Sequence, residues 1–409
     1  MNKIMQGDCL EVMDKMPPAS IDTIICDPPY GLKFMGKGWD HGVPGIPFWE
    51  AALRVAKPGA FLLAFGGTRT YHRLACAIED AGWKLRDCMM WIFGSGFSKG
   101  HNISKAIDKA AGAEREKIKA DANKASAYFK NFGNTRPWMN DPEHKIDSDI
   151  PVTEQAKLWD GWNVSLKPAY EPIIIAMKEL DGTFAKNALK HGVAGLAVGK
   201  GRIGDEKRVV QSRKSKFKNV YNNFASRGGG SEHMVAGRWP TNVIIDEEAG
   251  ALIDQQSGHS KSTKLKHNPK PSNRHGEALG LNTERSKWID GISRSHTDSG
   301  GASRFFYTAK ASPGERAPYN NHPTVKPLAL MRHLCKLTST PTGGVVLDPF
   351  AGSGSTLVAA VWEDRPYIGI ELNPDYVKIA QKRVAEAEAQ MNGLTRQEAR
   401  AEIKQSTLF

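Results

Sequence analysis

An apolar run, Thr23-Ile24-Ile25-Cys26, passes straight into Asp27-Pro28-Pro29-Tyr30. Consecutive prolines remove two backbone donors and stiffen the turn, so carbonyl oxygens remain the polar groups on offer. Asp27 sets a carboxylate beside the Pro28 carbonyl, and Tyr30 adds a planar ring just beyond. Paired acceptors next to a ring suit an aromatic amine. The nitrogen of such an amine is a poor nucleophile because its lone pair is delocalised. Accepting both of its hydrogens draws it towards tetrahedral geometry and stabilises the positive charge that develops as it attacks an electrophile. Taken alone, the tetrapeptide also reads as an ordinary turn, since Asp and Pro are common turn residues.

A second loop, Asp348-Pro349-Phe350-Ala351-Gly352-Ser353-Gly354-Ser355-Thr356, follows the apolar Val345-Val346-Leu347 and precedes an apolar helical stretch. Its glycines let the backbone turn tightly and lie close to a ligand, and the following helix N-terminus faces that ligand. Glu371 ends a further apolar run, Tyr367-Ile368-Gly369-Ile370, where an acid can accept both hydroxyls of a ribose. No Lys follows Gly354, so the loop is not a phosphate-binding loop. Leu357 stands where a dinucleotide motif needs its third Gly. A nucleoside without pyrophosphate remains, and S-adenosylmethionine fits that description. The alternative is a glycine turn of packing value only.

Both loops need strands to aim them. Short apolar runs bounded by turn residues predict strands at Ile4–Met5, Thr23–Cys26, Phe61–Phe65, Cys88–Ile92, Ile173–Ala176, Val345–Leu347 and Tyr367–Glu371. Helical patterns alternate with them: Thr70–Gly82, Leu357–Trp362, and a helix capped by Asn373 and opened by Pro374. The alternation predicts an α/β fold with a mainly parallel sheet, whose ligand sites lie beyond the strands' carboxyl ends. Two regions break it. Asn102–Lys130, rich in Ala and Lys, predicts a helix within an insertion over about 98–160. Asp181–Asn320 holds Gly-, Ser- and Lys-rich segments with one strand at Asn242–Ile245, and predicts an inserted module with long surface loops. The expected organisation is therefore 1–180, an insert at 181–320, 321–389, and a polar tail at 390–409.

The net charge is +12, and residues 181–320 carry 23 Lys and Arg against 13 Asp and Glu, so most of the excess sits in one third of the chain. Such a concentration points to a polyanion partner. Its densest basic run holds Arg202, Lys207, Arg208, Arg213, Lys214, Lys216 and Lys218, which would contact phosphates with an affinity that falls with salt. Five cysteines without a C-x-x-C pair argue against structural zinc and for reduced thiols; no metal site is expected. No apolar run reaches membrane-spanning or signal-peptide length, which predicts a cytoplasmic protein.

The motifs together resemble those of the amino-methylating DNA methyltransferases. Asp27–Tyr30 resembles their catalytic motif and Asp348–Gly354 their methyl-donor motif. The order of catalytic loop, basic insert and donor loop resembles the beta group, whose chain is circularly permuted. Gln6-Gly7-Asp8-Cys9-Leu10 and His322-Pro323-Thr324-Val325-Lys326-Pro327-Leu328 are similar to two further family segments. The resemblance implies a Rossmann-like sheet of seven strands, S-adenosylmethionine as cofactor, and double-stranded DNA as partner with the target base flipped out of the helix. It also implies an insert that reads DNA, a restriction endonuclease as partner, and a monomer or homodimer. Asp27, Pro28, Pro29 and Tyr30 would hold and stack on the target base. Asp8, Lys326, Asp348, Phe350, Gly352, Gly354, Ser355, Thr356 and Glu371 would form the donor site, with Lys326 facing the donor's carboxylate. Asp at the head of the catalytic motif favours adenine N6 over cytosine N4. RNA or protein-amide methylation usually carries Asn there, in the unpermuted order. A DNA-binding protein with a dead pocket is the non-enzymatic alternative.

Overall fold

The computed structural model describes residues 2–32, 42–94, 100–119, 145–211, 232–262, 296–309 and 319–393. One nine-stranded sheet organises the chain. Its strands are β1 (Lys3–Gln6), β2 (Ile21–Cys26), β3 (Ala56–Phe65), β4 (Lys84–Ile92), β5 (Tyr170–Met177), β6 (Val243–Asp246), β7 (Tyr307–Ala309), β8 (Val346–Asp348) and β9 (Tyr367–Glu371). They lie in the order β1-β9-β8-β2-β3-β5-β4-β6-β7. All pairings from β1 to β3 are parallel, while β5 runs antiparallel to both of its neighbours, β3 and β4. The expected mainly parallel α/β sheet is thus present.

The sheet exceeds the expected seven strands because β6 and β7 extend one end. Asn242–Ile245, assigned to the insert from sequence, contributes to β6, which pairs parallel with β4 in the register Val243↔Met90 and Ile244↔Trp91. Ile244 and Ile245 are fully buried there; an apolar pair of this kind needs a sheet to cover it.

Every residue of β2 is buried, as expected of a central parallel strand with helices on both faces. Its polar members are satisfied: Asp22 accepts from Val345 N (2.8 Å) and pairs with Lys57 (2.7 Å), and Thr23 Oγ1 donates to Thr338 O (3.1 Å). Buried Arg365 ties the start of β8 down by donating to the carbonyls of Gly344 and Cys335 and to Thr23 Oγ1. Trp49 and Trp83, both essentially unexposed, fill the layer under β2 and β3.

The chain divides into two compact units: Met1–Lys200 with Asn242–Ala249 and Thr308–Phe409, and Gly201–Thr241 with Gly250–Tyr307. Residues 181–200, placed with the insert from sequence, belong to the first unit. There Asn187, on the helix Phe184–His191, donates to Pro58 O (2.9 Å). Within the second unit, Ile203–Gln211 and Glu232–Arg238 form an antiparallel hairpin, and Arg238 forks onto both oxygens of Asp298 at 2.6 Å.

The Ala- and Lys-rich stretch is not one long helix. The helix Ile103–Ala110 stops at Ala111, Gly112 follows with φ +69°, and Lys117–Lys119 pairs with Lys145–Asp147 as a short hairpin. Asp108 turns the chain back: buried at 1% exposure, it accepts from Arg115 Nε (2.8 Å), Val152 N (3.0 Å) and Thr153 N (3.0 Å). Satisfying a buried carboxylate outweighs the helical propensity of Ala and Lys. The stretch from 120 to 130 lies outside the described residues.

Candidate active site

The carboxyl ends of β1, β9, β8, β2 and β3 share one edge of the sheet, where a cavity of about 1300 Å³ opens. It is lined by both loops singled out from sequence: Asp27, Pro28, Pro29 and Tyr30 on one side, and Asp348, Phe350, Gly352, Ser355, Thr356 and Glu371 on the other, with Asp8 and Lys326. Such a volume exceeds the usual range for one small ligand, about 300–1,000 Å³, and has room for two adjoining groups.

On the donor-loop side, Glu371 is the pivot. Its Oε2 accepts from Gly352 N and its Oε1 from Asn373 N, each at 2.8 Å, and burial pushes its carboxyl up against these bonds. Gly352 has φ +51°, and a Cβ there would stand 3.0 Å from His322 Nε2, so only Gly keeps this approach clear. Gly354 (φ +80°) does not line the cavity; it shapes it. A Cβ on it would meet Ala380 Cβ, on the helix Pro374–Met391, at 2.9 Å. Ser355 opens the helix Ser355–Trp362, and its hydroxyl is held by Arg383 (3.2 Å), which also binds Ser353 O (2.7 Å). Phe350 packs in a tilted cluster with Phe48 and Trp49 at 6.1 and 6.3 Å. Asp8 caps the helix Cys9–Asp14 through Leu10 N (2.8 Å) while also lining the cavity.

These residues suit a nucleoside carrying an amino acid end. A half-buried acid with pinned oxygens faces the cavity, an aromatic face lies beside it, and a glycine cradle is shaped so that a Cβ would fill it.

Asp348 is only 2% exposed and accepts from Phe350 N (3.0 Å), and burial raises its carboxyl from 3.8 to about 7. The folded protein therefore keeps this proton over a pH window in which the unfolded chain has lost it. Stability falls as pH rises through that window and levels off above the folded value. Asp348→Asn carries no such titration. From about pH 5 to about pH 8, calorimetric Tm should shift in favour of the variant relative to wild type. A difference that stays constant with pH would show that Asp348 is ionised throughout.

On the other side, Asp27 follows β2 directly and both of its oxygens are engaged: Oδ1 accepts from Tyr30 OH (2.7 Å) and Oδ2 from Lys326 Nζ (2.7 Å). Lys326 also pairs with Glu171 Oε2 (3.1 Å), and Tyr30 OH reaches the same oxygen at 3.2 Å. Thr70 Oγ1 donates to Tyr30 O (2.7 Å), fixing the end of the loop. Burial alone would lower the Lys326 ammonium, but the two carboxylates outweigh it and hold it well above the usual lysine range. Burial and the same acids push the Tyr30 hydroxyl well up, so it stays a donor.

Sequence placed Lys326 at the donor's carboxylate. The structure pairs it with Asp27 and Glu171, two acids that draw one buried cation. Glu171 was not singled out from sequence. It reaches this edge because β5 is antiparallel: Phe65 pairs with Ile173 and Gly66 N donates to Pro172 O, which leaves Glu171 at the mouth. Of the basic residues, Arg202 borders the second unit's hairpin, with its guanidinium donating to Gly237 O (3.2 Å) and lying 5.6 Å from the Trp239 ring centroid. Arg208 lies half-buried within the hairpin. Arg213, Lys214, Lys216 and Lys218 lie outside the described residues. Among the described residues no cluster of metal ligands occurs, and no helix is long and apolar enough to cross a membrane.

Comparison with known proteins supplies the context. A family profile described as DNA methylase matches residues 21–382. The DNA adenine methyltransferase YhdJ of Escherichia coli is 47% identical over 66 residues, 16% of this chain and 22% of that protein. The type II methyltransferase M.HindIII of Haemophilus influenzae is 24% identical over 337 residues, 81% of this chain and 65% of that one. The first curated relatives are thus matched over less than a third of their own lengths, 22% for YhdJ and 29% for M.Cfr9I of Citrobacter freundii. The solved M1.HpyAVI complex with S-adenosylmethionine aligns at 16% identity and a TM-score of 0.40, over 94% of this chain and 100% of that one. With the profile spanning both loops and the strands that carry them, this chain belongs to the N6/N4 DNA methylase family.

Proposed function

We propose that the protein transfers a methyl group from S-adenosylmethionine to the exocyclic N6 of adenine in double-stranded DNA, after the base has left the helix. The observation that carries this reading is the shared cavity, with paired acceptors at Asp27–Pro28 on one wall and the Glu371–Gly352 cradle on the other.

The donor, when bound, supplies a methyl group on a positively charged sulfur. Glu371, Asp8, Phe350 and Gly352 would hold it, with Ser355 and Thr356 at the adjoining helix start. The residues of the other wall act on the base. Asp27 and the Pro28 carbonyl accept the amino hydrogens and stabilise the charge that develops on nitrogen. Tyr30 offers its ring to the extruded base, offsetting the cost of unstacking, roughly a few kcal/mol. The basic second unit fits contact with phosphates through Arg202 and Arg208, extended by Arg213, Lys214, Lys216 and Lys218. Asp at position 27 and the relative YhdJ, named an adenine methyltransferase, support adenine within a family that covers both bases.

The test is direct. Plasmid DNA is incubated with protein and labelled donor, digested to nucleosides, and resolved by mass spectrometry. N6-methyladenine is expected. N4-methylcytosine would overturn the choice of base, and absence of any methylated nucleoside would overturn the function.

A further inference from the structure

The site just described contains an obstacle to its own use. An incoming amine needs an oxygen of Asp27, yet Oδ1 already accepts from Tyr30 OH and Oδ2 from Lys326, each at 2.7 Å. Tyr30 is tethered three residues away, with its main-chain carbonyl held by Thr70, so its ring stays beside Asp27. Lys326 has somewhere to go. Its ammonium already stands 3.1 Å from Glu171 Oε2, and it lies 4.8 Å from the Phe65 ring centroid and 5.4 Å from that of Tyr30. The two aromatic faces flank it, and the Tyr30 hydroxyl also accepts from it at 3.1 Å. An ammonium left against Asp27 would also oppose the positive charge that grows on the amine during transfer.

We propose that Glu171 is a positioning residue that takes Lys326 from Asp27 as the target amine binds. The move opens Asp27 Oδ2 and keeps the displaced ammonium paired. The inference rests on Asp27 being the amine acceptor. It assigns Lys326 the part of a placeholder: paired with its two acids, it holds Asp27 in place until a base arrives. Lys326 is then not the base that removes the proton from the methylated nitrogen.

The test uses the full chain, S-adenosylmethionine and a duplex carrying the site found by mapping methylation on plasmid DNA. Wild type and Asp27→Asn come first. An inactive wild type, or an active Asp27→Asn, defeats the reading of the site itself; an active wild type with an inactive Asp27→Asn isolates the new question. Glu171→Gln leaves Lys326 with Asp27 as its remaining acid, so kcat should fall about 30-fold or more while donor affinity by calorimetry stays within about two-fold. Adding Lys326→Met to Glu171→Gln removes the competing ammonium and should recover about ten-fold of that loss, a coupling opposite in sign to two additive structural defects. Glu171→Asp keeps the charge on a shorter arm and should remain within about five-fold of wild type, which gives a readout should Glu171→Gln fold poorly. A double variant as slow as Glu171→Gln, a Glu171→Gln enzyme with unchanged kcat, or a Glu171→Asp enzyme as slow as Glu171→Gln would each overturn the proposal.

Discussion

Asp27→Asn should reduce methyl transfer by about 10²–10³-fold while leaving donor affinity nearly unchanged. The substitution keeps the size of the side chain but exchanges one acceptor for a donor. The lost oxygen is either the one that Tyr30 engages or the one that Lys326 engages. If the amide NH2 takes the second place it faces an ammonium, and if it takes the first it faces a hydroxyl whose pKa is raised and which therefore remains a donor. With the NH2 in the second place the target amine meets a donor where it needs an acceptor; with it in the first, the oxygen that remains is neutral and stabilises the charge growing on nitrogen less well than a carboxylate does. The donor-binding wall lies on the other side of the cavity and does not use Asp27. Transfer of labelled methyl to plasmid DNA, with calorimetry of donor binding in parallel, separates the two. Transfer within about ten-fold of wild type would remove Asp27 from the chemistry.

Glu371→Gln should weaken donor binding almost as much as Glu371→Ala. A residue that only accepted from a ligand's hydroxyls would tolerate Gln, because an amide keeps one acceptor and gains a donor that a hydroxyl can accept. Glu371 has a second task. Both of its oxygens accept from backbone N–H groups, of Gly352 and of Asn373. Gln can serve one of them; its NH2 would meet the other N–H head-on. Each charge-assisted bond lost is worth roughly 1.5–3 kcal/mol, so donor affinity should fall about ten- to a hundred-fold. Calorimetric titration checks this. A Glu371→Gln protein that binds donor as wild type does would mean that the loop holds its shape without the carboxylate.

Parts of the site were legible in the sequence because local pattern and chemistry coincide there. Asp27 and Asp348 each sit at the end of an apolar run too short for a helix, so strand end and polar loop could be read together. Asn373 and Pro374 announced the last helix because capping chemistry is local. Glu171 was not legible for the opposite reason. Sequence marks Ile173–Ala176 as a strand but not its direction, and direction decides which end of the sheet Glu171 reaches. The pairing of Lys326 with Asp27 and Glu171 was not legible either, since the partners of a cation near two walls are set by distances that sequence does not contain. The same limit moved Asn242–Ile245 out of the insert: an apolar run shows that it must be covered, not by what.

The seam between β1 and β9 has a consequence for how the cavity comes into being. Gly7 N donates to Glu371 O (3.1 Å), and Gln6 stands opposite Glu371 in the register. The donor wall is thus assembled from segments that leave the ribosome at very different times. A growing chain holds Asp27–Tyr30 early, but lacks the Glu371–Gly352 cradle until β9 has been synthesised and docked against β1. Contacts of such long sequence separation are slow to form. On the proposed function, donor binding would therefore report a chain made and folded through β9.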